Sequence, residues 1–462
     1  MAVNRREFLR RSICSAMGGV SLYSALGSLR LVNAAAQSPT AIFPDYRALV
    51  CVYLYGGNDS FNMIVPRDNT HYNTYAASRG NLKIAQGSLL ALNPTAAGMP
   101  SDGAQYGLHP SMTELAALFN SGKVAVLGNV GTLLYPTTQA QYNSVGYPLP
   151  PQLFSHDDQT NYWQTSIADD ANANGWGGRI ADLLYAGNPN QNLSMLMSLS
   201  GENLFQRGEL INQYIMNPFG VQRVDYLDEY LNGPGATAFN AMFQQSSQAN
   251  VFERAYAGAM NSSIANYQAI DAALTSSGDV TTVFPESSLG GQLKMVARLI
   301  KARNTFNMRR QVFFVSIDGF DFHSTQLTDQ ANTLADLSQS LKAFNDAIGT
   351  ELNLGPNVTT FTASDFGRTV STNGDGTDHG WGGHHFVMGG AVRGQRFYGS
   401  MPSLLQNGNP DDAGYGQLIP TTSVDQYAAT LATWFGVPGS DLATIFPNVG
   451  RFATANLGFL NP

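Results

Sequence analysis

The sequence predicts an α/β protein built on a doubly wound, mostly parallel sheet. Three observations lead there: short apolar runs that do not alternate in polarity, helical patterns between them, and acidic or imidazole residues just past the ends of several runs. Residues 48–55, 124–130, 194–199, 311–317, 358–363 and 385–388 are rich in Val, Leu, Phe and Tyr. Runs of this length and composition suit parallel strands covered on both faces.

Helical patterns separate the runs. Residues 112–120 follow Pro110 and stop at Ser121-Gly122, just before the second run. Leu289, Leu293, Val296 and Ile300 give one apolar face to a helix that leads into the fourth. Strand and helix alternating in this way argue for one α/β domain over residues 37–462. Residues 202–287, with helical pieces at 237–248 and 251–273 and no strong strand, read as a helical insertion over the sheet. Segments 66–108 and 131–154, rich in Pro, Gly, Asn and Tyr, read as long surface loops of the kind that build a site or its rim.

The N-terminus reads as an address. Asn4-Arg5-Arg6-Glu7-Phe8-Leu9-Arg10, a mildly apolar stretch to about Leu31 and Ala34-Ala35-Ala36 form a twin-arginine signal over residues 1–36. Glycines, serines and Arg30 interrupt the stretch, so it is a poor membrane span. The expected partner is the twin-arginine export machinery, which carries folded proteins. The destination is the periplasm or the exterior, with no stable membrane anchor after cleavage. Removing the signal leaves 20 basic and 32 acidic residues and Cys51 as the lone cysteine, so neither a basic nucleic-acid-binding stripe nor an internal disulfide is available.

The chemistry gathers at the run ends. In open α/β sheets, ligands bind beyond the carboxyl ends of the strands. The first run ends in Gly56-Gly57-Asn58-Asp59-Ser60, the fourth in Asp318-Gly319-Phe320-Asp321-Phe322-His323, the fifth in Ser364-Asp365-Phe366-Gly367-Arg368. Soon after comes the densest string, residues 376–385, with Asp378, His379, His384, His385 and four glycines. Oxygen and nitrogen donors crowded like this suit Zn²⁺, Mn²⁺ or a similar divalent ion. Asp59 can equally be a turn residue, and Asp365 can pair with Arg368. Asp321-x-His323 puts two donors on one side of extended backbone. Phe154-Ser155-His156-Asp157-Asp158 supplies a hydroxyl and an imidazole at a helix start, where Ser155 is also a candidate cap; Ser60 is the rival hydroxyl. Ser423-x-x-Gln426 reads as a capping box on a terminal packing helix.

These strings, with Thr377-Asp378-His379-Gly380-Trp381-Gly382-Gly383 and Ile419-Pro420-Thr421-Thr422-Ser423-Val424-Asp425-Gln426-Tyr427, resemble exported bacterial proteins of domain-of-unknown-function family 1501. That family is grouped with the alkaline phosphatase and sulfatase superfamily, whose members hydrolyse phosphate or sulfate esters with one or two divalent metals. The resemblance implies Asp59, Asp321, His323 and Asp365 as metal ligands and Ser155 as nucleophile. Phe366 stands where the superfamily has a histidine, and Asp378 with His379, or His384 with His385, can supply the missing donor.

The implied function is a metal-dependent hydrolase acting on a small-molecule or glycan ester of phosphate or sulfate. Its catalytic groups are Ser155, His156 and Arg368, the last gripping an ester oxygen, and its ions are Zn, Mn or Ca. The alternative is a non-catalytic exported protein for cell-surface assembly or glycan binding on the same fold.

Overall fold

The computed structural model describes residues 43–170, 172–220 and 232–462, so the leader read over residues 1–36 lies outside the described residues. Each apolar run forms a strand. β1 (Arg47–Leu54) sits mid-sheet because both of its faces are apolar, and residues 48–54 are at most 2% exposed. It pairs in parallel with β8 (Arg310–Ile317) on one side and β9 (Val358–Ser364) on the other. β6 (Leu196–Ser198) and then β7 (Tyr214–Ile215) extend the sheet past β8. Past β9 come β10 (Gly383–Gly389), β5 (Val124–Gly131) and β11 (Arg396–Gly399), with β12 (Thr422–Ser423) also on β5. Helices Thr113–Asn120, Ser288–Lys301 and Gln326–Asp346 pack together, the second of them on β8. Helices His156–Thr165, Trp176–Leu184 and Val424–Phe435 pack on β9, β6 and β1. The result is an α/β fold with a mostly parallel sheet and flanking helices.

Three expectations need correction. β10 runs antiparallel to both neighbours. A parallel neighbour needs a crossover long enough to return to the other end of the sheet. Residues 365–382 contain no helix and fold back over the C-terminal end of β9, so β10 starts where β9 stops. Segment 66–108 is not only loop: it holds helix Asn69–Arg79 and a second, antiparallel sheet of β2 (Ile64–Pro66), β4 (Tyr106–Leu108) and β3 (Leu90–Ala91). Residues 202–287 do carry helices Ala236–Met242 and Val251–Ser277, but they also contribute β7 to the main sheet.

The terminal helix Val424–Phe435 opens on a capping box, Ser423 accepting from the Gln426 backbone while Gln426 accepts from the Ser423 backbone. Its first turn buries Asp425, and burial pushes that carboxyl up to about 7 against the opposing pull of Ser166, Arg179 and Arg451. Between the unfolded value near 3.9 and about 7, the folded chain keeps a proton that the unfolded chain has lost. Stability therefore falls as pH rises through that window. Asp425→Asn, which cannot ionise, is expected to exceed the native protein in stability by only about 1.5 kcal/mol at pH 5. At pH 8 it should exceed it by up to about 4 kcal/mol, read from urea midpoints at the two pH values.

Candidate metal centre

The C-terminal ends of β1, β8 and β9 open into a cleft of about 650 Å³ lined by Tyr55, Gly56, His156, Asp157, Thr160, Asn161, Gly319, Asp321 and Asp365. Glycine at 56 and 57 lets these ends close on one another. Gly56 has φ +109° and a Cβ there would lie 2.5 Å from the Asp321 backbone nitrogen; at Gly57, φ +79°, it would lie 2.4 Å from the Phe366 ring. Neither position admits a side chain without moving its neighbour.

Donor atoms of His156, Asp321 and His379 lie within 4.8 Å of one another. His379 Nε2 is 3.1 Å from His156 Nε2 and 3.0 Å from His323 Nε2. Asp321 adds its carboxylate, Oδ1 at 3.0 Å from His323 Nε2 and 3.4 Å from His379 Nε2, Oδ2 at 3.6 Å from His156 Nε2. The opposite ring nitrogens are already engaged. His379 Nδ1 donates to the Phe154 carbonyl at 2.7 Å, His156 Nδ1 to Asp365 Oδ2 at 2.7 Å, and His323 Nδ1 to Asp378 Oδ1 at 3.3 Å.

That bonding fixes the chemistry of the convergence. With its proton on Nδ1, His379 turns a single lone pair toward two other imidazoles, and one lone pair accepts one proton. A cation shared by the converging nitrogens and Asp321 removes the remaining repulsion. Bonds of about 2.0–2.1 Å in a tetrahedral site separate donors by about 3.3 Å, close to the spacings here. The donor set therefore fits a divalent ion. Hydrogen-bonded carboxylates and carbonyls behind ligating imidazoles are the usual means of orienting them.

Burial and the neighbouring charges shift these groups in different directions. The Asp365 hydrogen bond raises the His156 imidazole above its ordinary value despite burial. Burial lowers His379, helped by the positive charge of His156 and Arg368. Burial would raise Asp321, but the Arg368 guanidinium and the neighbouring imidazoles outweigh it and hold the carboxyl below its usual range.

Several residues read from the sequence lie elsewhere or act differently. Asp59 is fully buried at the start of helix Ser60–Met63, where it accepts from Arg79 Nη2 at 2.5 Å, from the Phe61 and Asn62 backbone at 3.1 and 3.3 Å, and from Gln326 Nε2. An arginine and an amide occupy the carboxylate, which leaves no face for an ion. His384 and His385, adjacent on β10, point into core. His384 Nδ1 accepts from the Asn129 backbone and its ring meets Phe61, while the His385 ring packs 4.7 Å from Trp163. Burial pushes each of them down to about 3, so both are neutral core groups. Asp365 and Asp378 orient imidazoles and do not join the converging nitrogens.

Ser155 caps helix His156–Thr165, its hydroxyl donating to Asp158 Oδ2 at 2.6 Å, and buried Ser60 accepts from the His384 backbone. Neither hydroxyl lines the cleft; Thr160 does. Arg368 is wholly buried and donates to Asp321 Oδ1 at 2.5 Å, to the Gly56 carbonyl at 3.3 Å and to Thr377, so it positions Asp321 and has little left for an ester oxygen. Phe366 is buried with its ring 4.8 Å from that of His156 and 4.7 Å from that of His379, a wall where a donor was expected. Thr160 and Asn161 went unread as cleft residues, although Thr160 lies four residues after His156 and so on the same helix face.

Comparison with known proteins gives a family and distant structural likenesses. None of the curated proteins matches the sequence. Among solved structures the chain is similar to Ps i-CgsB in complex with k-i-k-neocarrahexaose, at 9% identity and TM-score 0.36, covering 88% of this chain and 76% of that one. It is similar to the C-terminal periplasmic domain of EcEptC from Escherichia coli, at 11% identity and TM-score 0.35, covering 91% and 87%. For the PsFucS1 sulfatase from Pseudoalteromonas sp. the values are 11%, 0.31, 90% and 72%. Likenesses this remote say nothing of the chemistry at the cleft. The family model described as "Protein of unknown function (DUF1501)" spans residues 46–425, and the chain belongs to that family.

Proposed function

We propose that the protein is a divalent-metal-dependent hydrolase of phosphate or sulfate esters, exported through its twin-arginine leader. The observation that carries the reading is the convergence of the His156, His323 and His379 Nε2 atoms with Asp321 beside an open cleft, every Nδ1 being held from behind. His156, Asp321 and His379, with His323 against them, would hold the ion. Such an ion supplies Lewis acidity, polarising the ester and neutralising charge as it develops. The remaining groups do the positioning. Asp365 and Asp378 keep the imidazoles in the tautomer that presents Nε2, Arg368 fixes Asp321, and Thr160 offers the cleft a hydroxyl. With Ser155 committed to its helix cap, a water in the cleft is the attacking group in this reading.

One ion per chain is expected, not two, because Arg79 already supplies positive charge at Asp59. Among the described residues no helix is long and apolar enough to cross a membrane. Elemental analysis of the exported protein tests the proposal. Close to one Zn, Mn or Ca per chain is expected, with turnover of aryl phosphates or sulfates that chelation removes and the ion restores. Metal-free protein that binds glycans and turns over no ester would favour the non-catalytic alternative.

A further inference from the structure

The charges around the cleft discriminate among esters. Among the described residues its wall carries the carboxylates of Asp157, Asp321 and Asp365 and no lysine or arginine. Arg368 touches the cluster only through Asp321, and its other donors go to Gly56 and Thr377. Asp365 is 3% exposed at its side chain, and its Oδ1 has no hydrogen-bond partner. A carboxylate buried this deeply beside the cleft gives an anionic ester oxygen no donor and adds repulsion. The remaining lining is the His156 imidazole, a proposed ligand of the ion, and the uncharged Tyr55, Thr160, Asn161 and the glycines at 56 and 319.

A doubly charged phosphate monoester is ordinarily gripped by arginine forks or lysine in addition to metal. This wall offers neither, and while Asp321 pairs with Arg368 and Asp365 with His156, Asp157 adds a carboxylate that no cation among the described residues offsets. We infer that the cleft takes singly charged esters, a sulfate monoester or a phosphodiester, and discriminates against doubly charged phosphate monoesters. The inference rests on the hydrolase reading above, and its test separates the two.

Metal-loaded exported protein is titrated calorimetrically with phenyl sulfate and phenyl phosphate at pH 8, where the second is doubly charged. In parallel, kcat/KM is measured for p-nitrophenyl sulfate, bis(p-nitrophenyl) phosphate and p-nitrophenyl phosphate. Phenyl sulfate is expected to bind about tenfold more tightly, and kcat/KM to favour at least one singly charged ester by about 100-fold. Asp157→Lys, at an exposed position, is expected to narrow both ratios by roughly tenfold with metal content unchanged, and Asp157→Asn to narrow them by less. Tighter binding of phenyl phosphate, or ratios that Asp157→Lys does not move, overturns the inference and leaves the hydrolase reading standing. A protein that holds the ion but binds neither ester overturns the substrate assignment. One that holds no ion overturns the hydrolase reading and this inference with it.

Discussion

Replacing His379 with alanine is expected to lower divalent-cation affinity by more than about 100-fold and to abolish ester turnover. Changes behind a metal ligand typically reduce affinity 10–100-fold, so loss of the ligand itself exceeds that range. The position is central: His379 Nε2 is the atom that both His156 and His323 approach, at 3.1 and 3.0 Å. Its ring also holds the Phe154 carbonyl and so ties the start of helix His156–Thr165 to the loop after β9. The side chain is 24% exposed, so truncation opens a solvated gap and the metal-free protein should keep nearly its native urea midpoint. His384→Ala is the control. His384 is buried in β10, so its truncation should lower stability through a cavity and leave cation affinity near native. Calorimetric titration with Zn²⁺ or Mn²⁺, together with urea melts, separates the two outcomes. Equal cation affinity in native and His379→Ala protein would sink the assignment of the centre.

Arg79→Met carries the largest expected loss of stability, on the order of 3–5 kcal/mol, the usual consequence of orphaning one member of a buried ion pair. Arg79 and Asp59 are both fully buried, and Arg79 Nη2 lies 2.5 Å from Asp59 Oδ1. With the guanidinium gone, Asp59 keeps only helix-start N–H groups and the Gln326 amide. Joining Asp59→Asn to Arg79→Met removes the stranded charge and should recover more than half of the loss, as urea melts of the single and double variants will show. A double variant no more stable than Arg79→Met would mean that the arginine acts through its packing, its guanidinium standing 5.8 Å from the Phe61 ring centre.

Most of the sheet could be read from the chain because an apolar run without alternation has few other homes than a doubly covered strand. Strand direction could not. The run at 385–388 is as apolar as its neighbours, and only the length and shape of the connection at 365–382 decide that it returns antiparallel. The rule that loops at strand ends carry ligands pointed to Asp321, His323, Asp365, Asp378 and His379 together, and these do meet at one edge. What failed was pairing. Nothing near Asp59 announces that Arg79, in a stretch read as loop, will swing beneath it. The histidines at 384 and 385 look like donors by composition, but a strand in mid-sheet buries both of its faces, so each of them ends in core. The helix cap at Ser155 was legible from its spacing to Asp158, and it prevailed over the nucleophile reading because the hydroxyl is held by that carboxylate.

The proposed ligands at positions 156, 321 and 379 arrive from remote parts of the polypeptide, and the local pair Asp321 and His323 supplies only part of the donor set. An ion can thus be captured only once the tertiary structure has assembled, whatever affinity the finished pocket has. If the proposed twin-arginine leader carries the chain out already folded, the choice between zinc, manganese and calcium falls to the cytosol's metal pools, and the supply outside matters only for exchange.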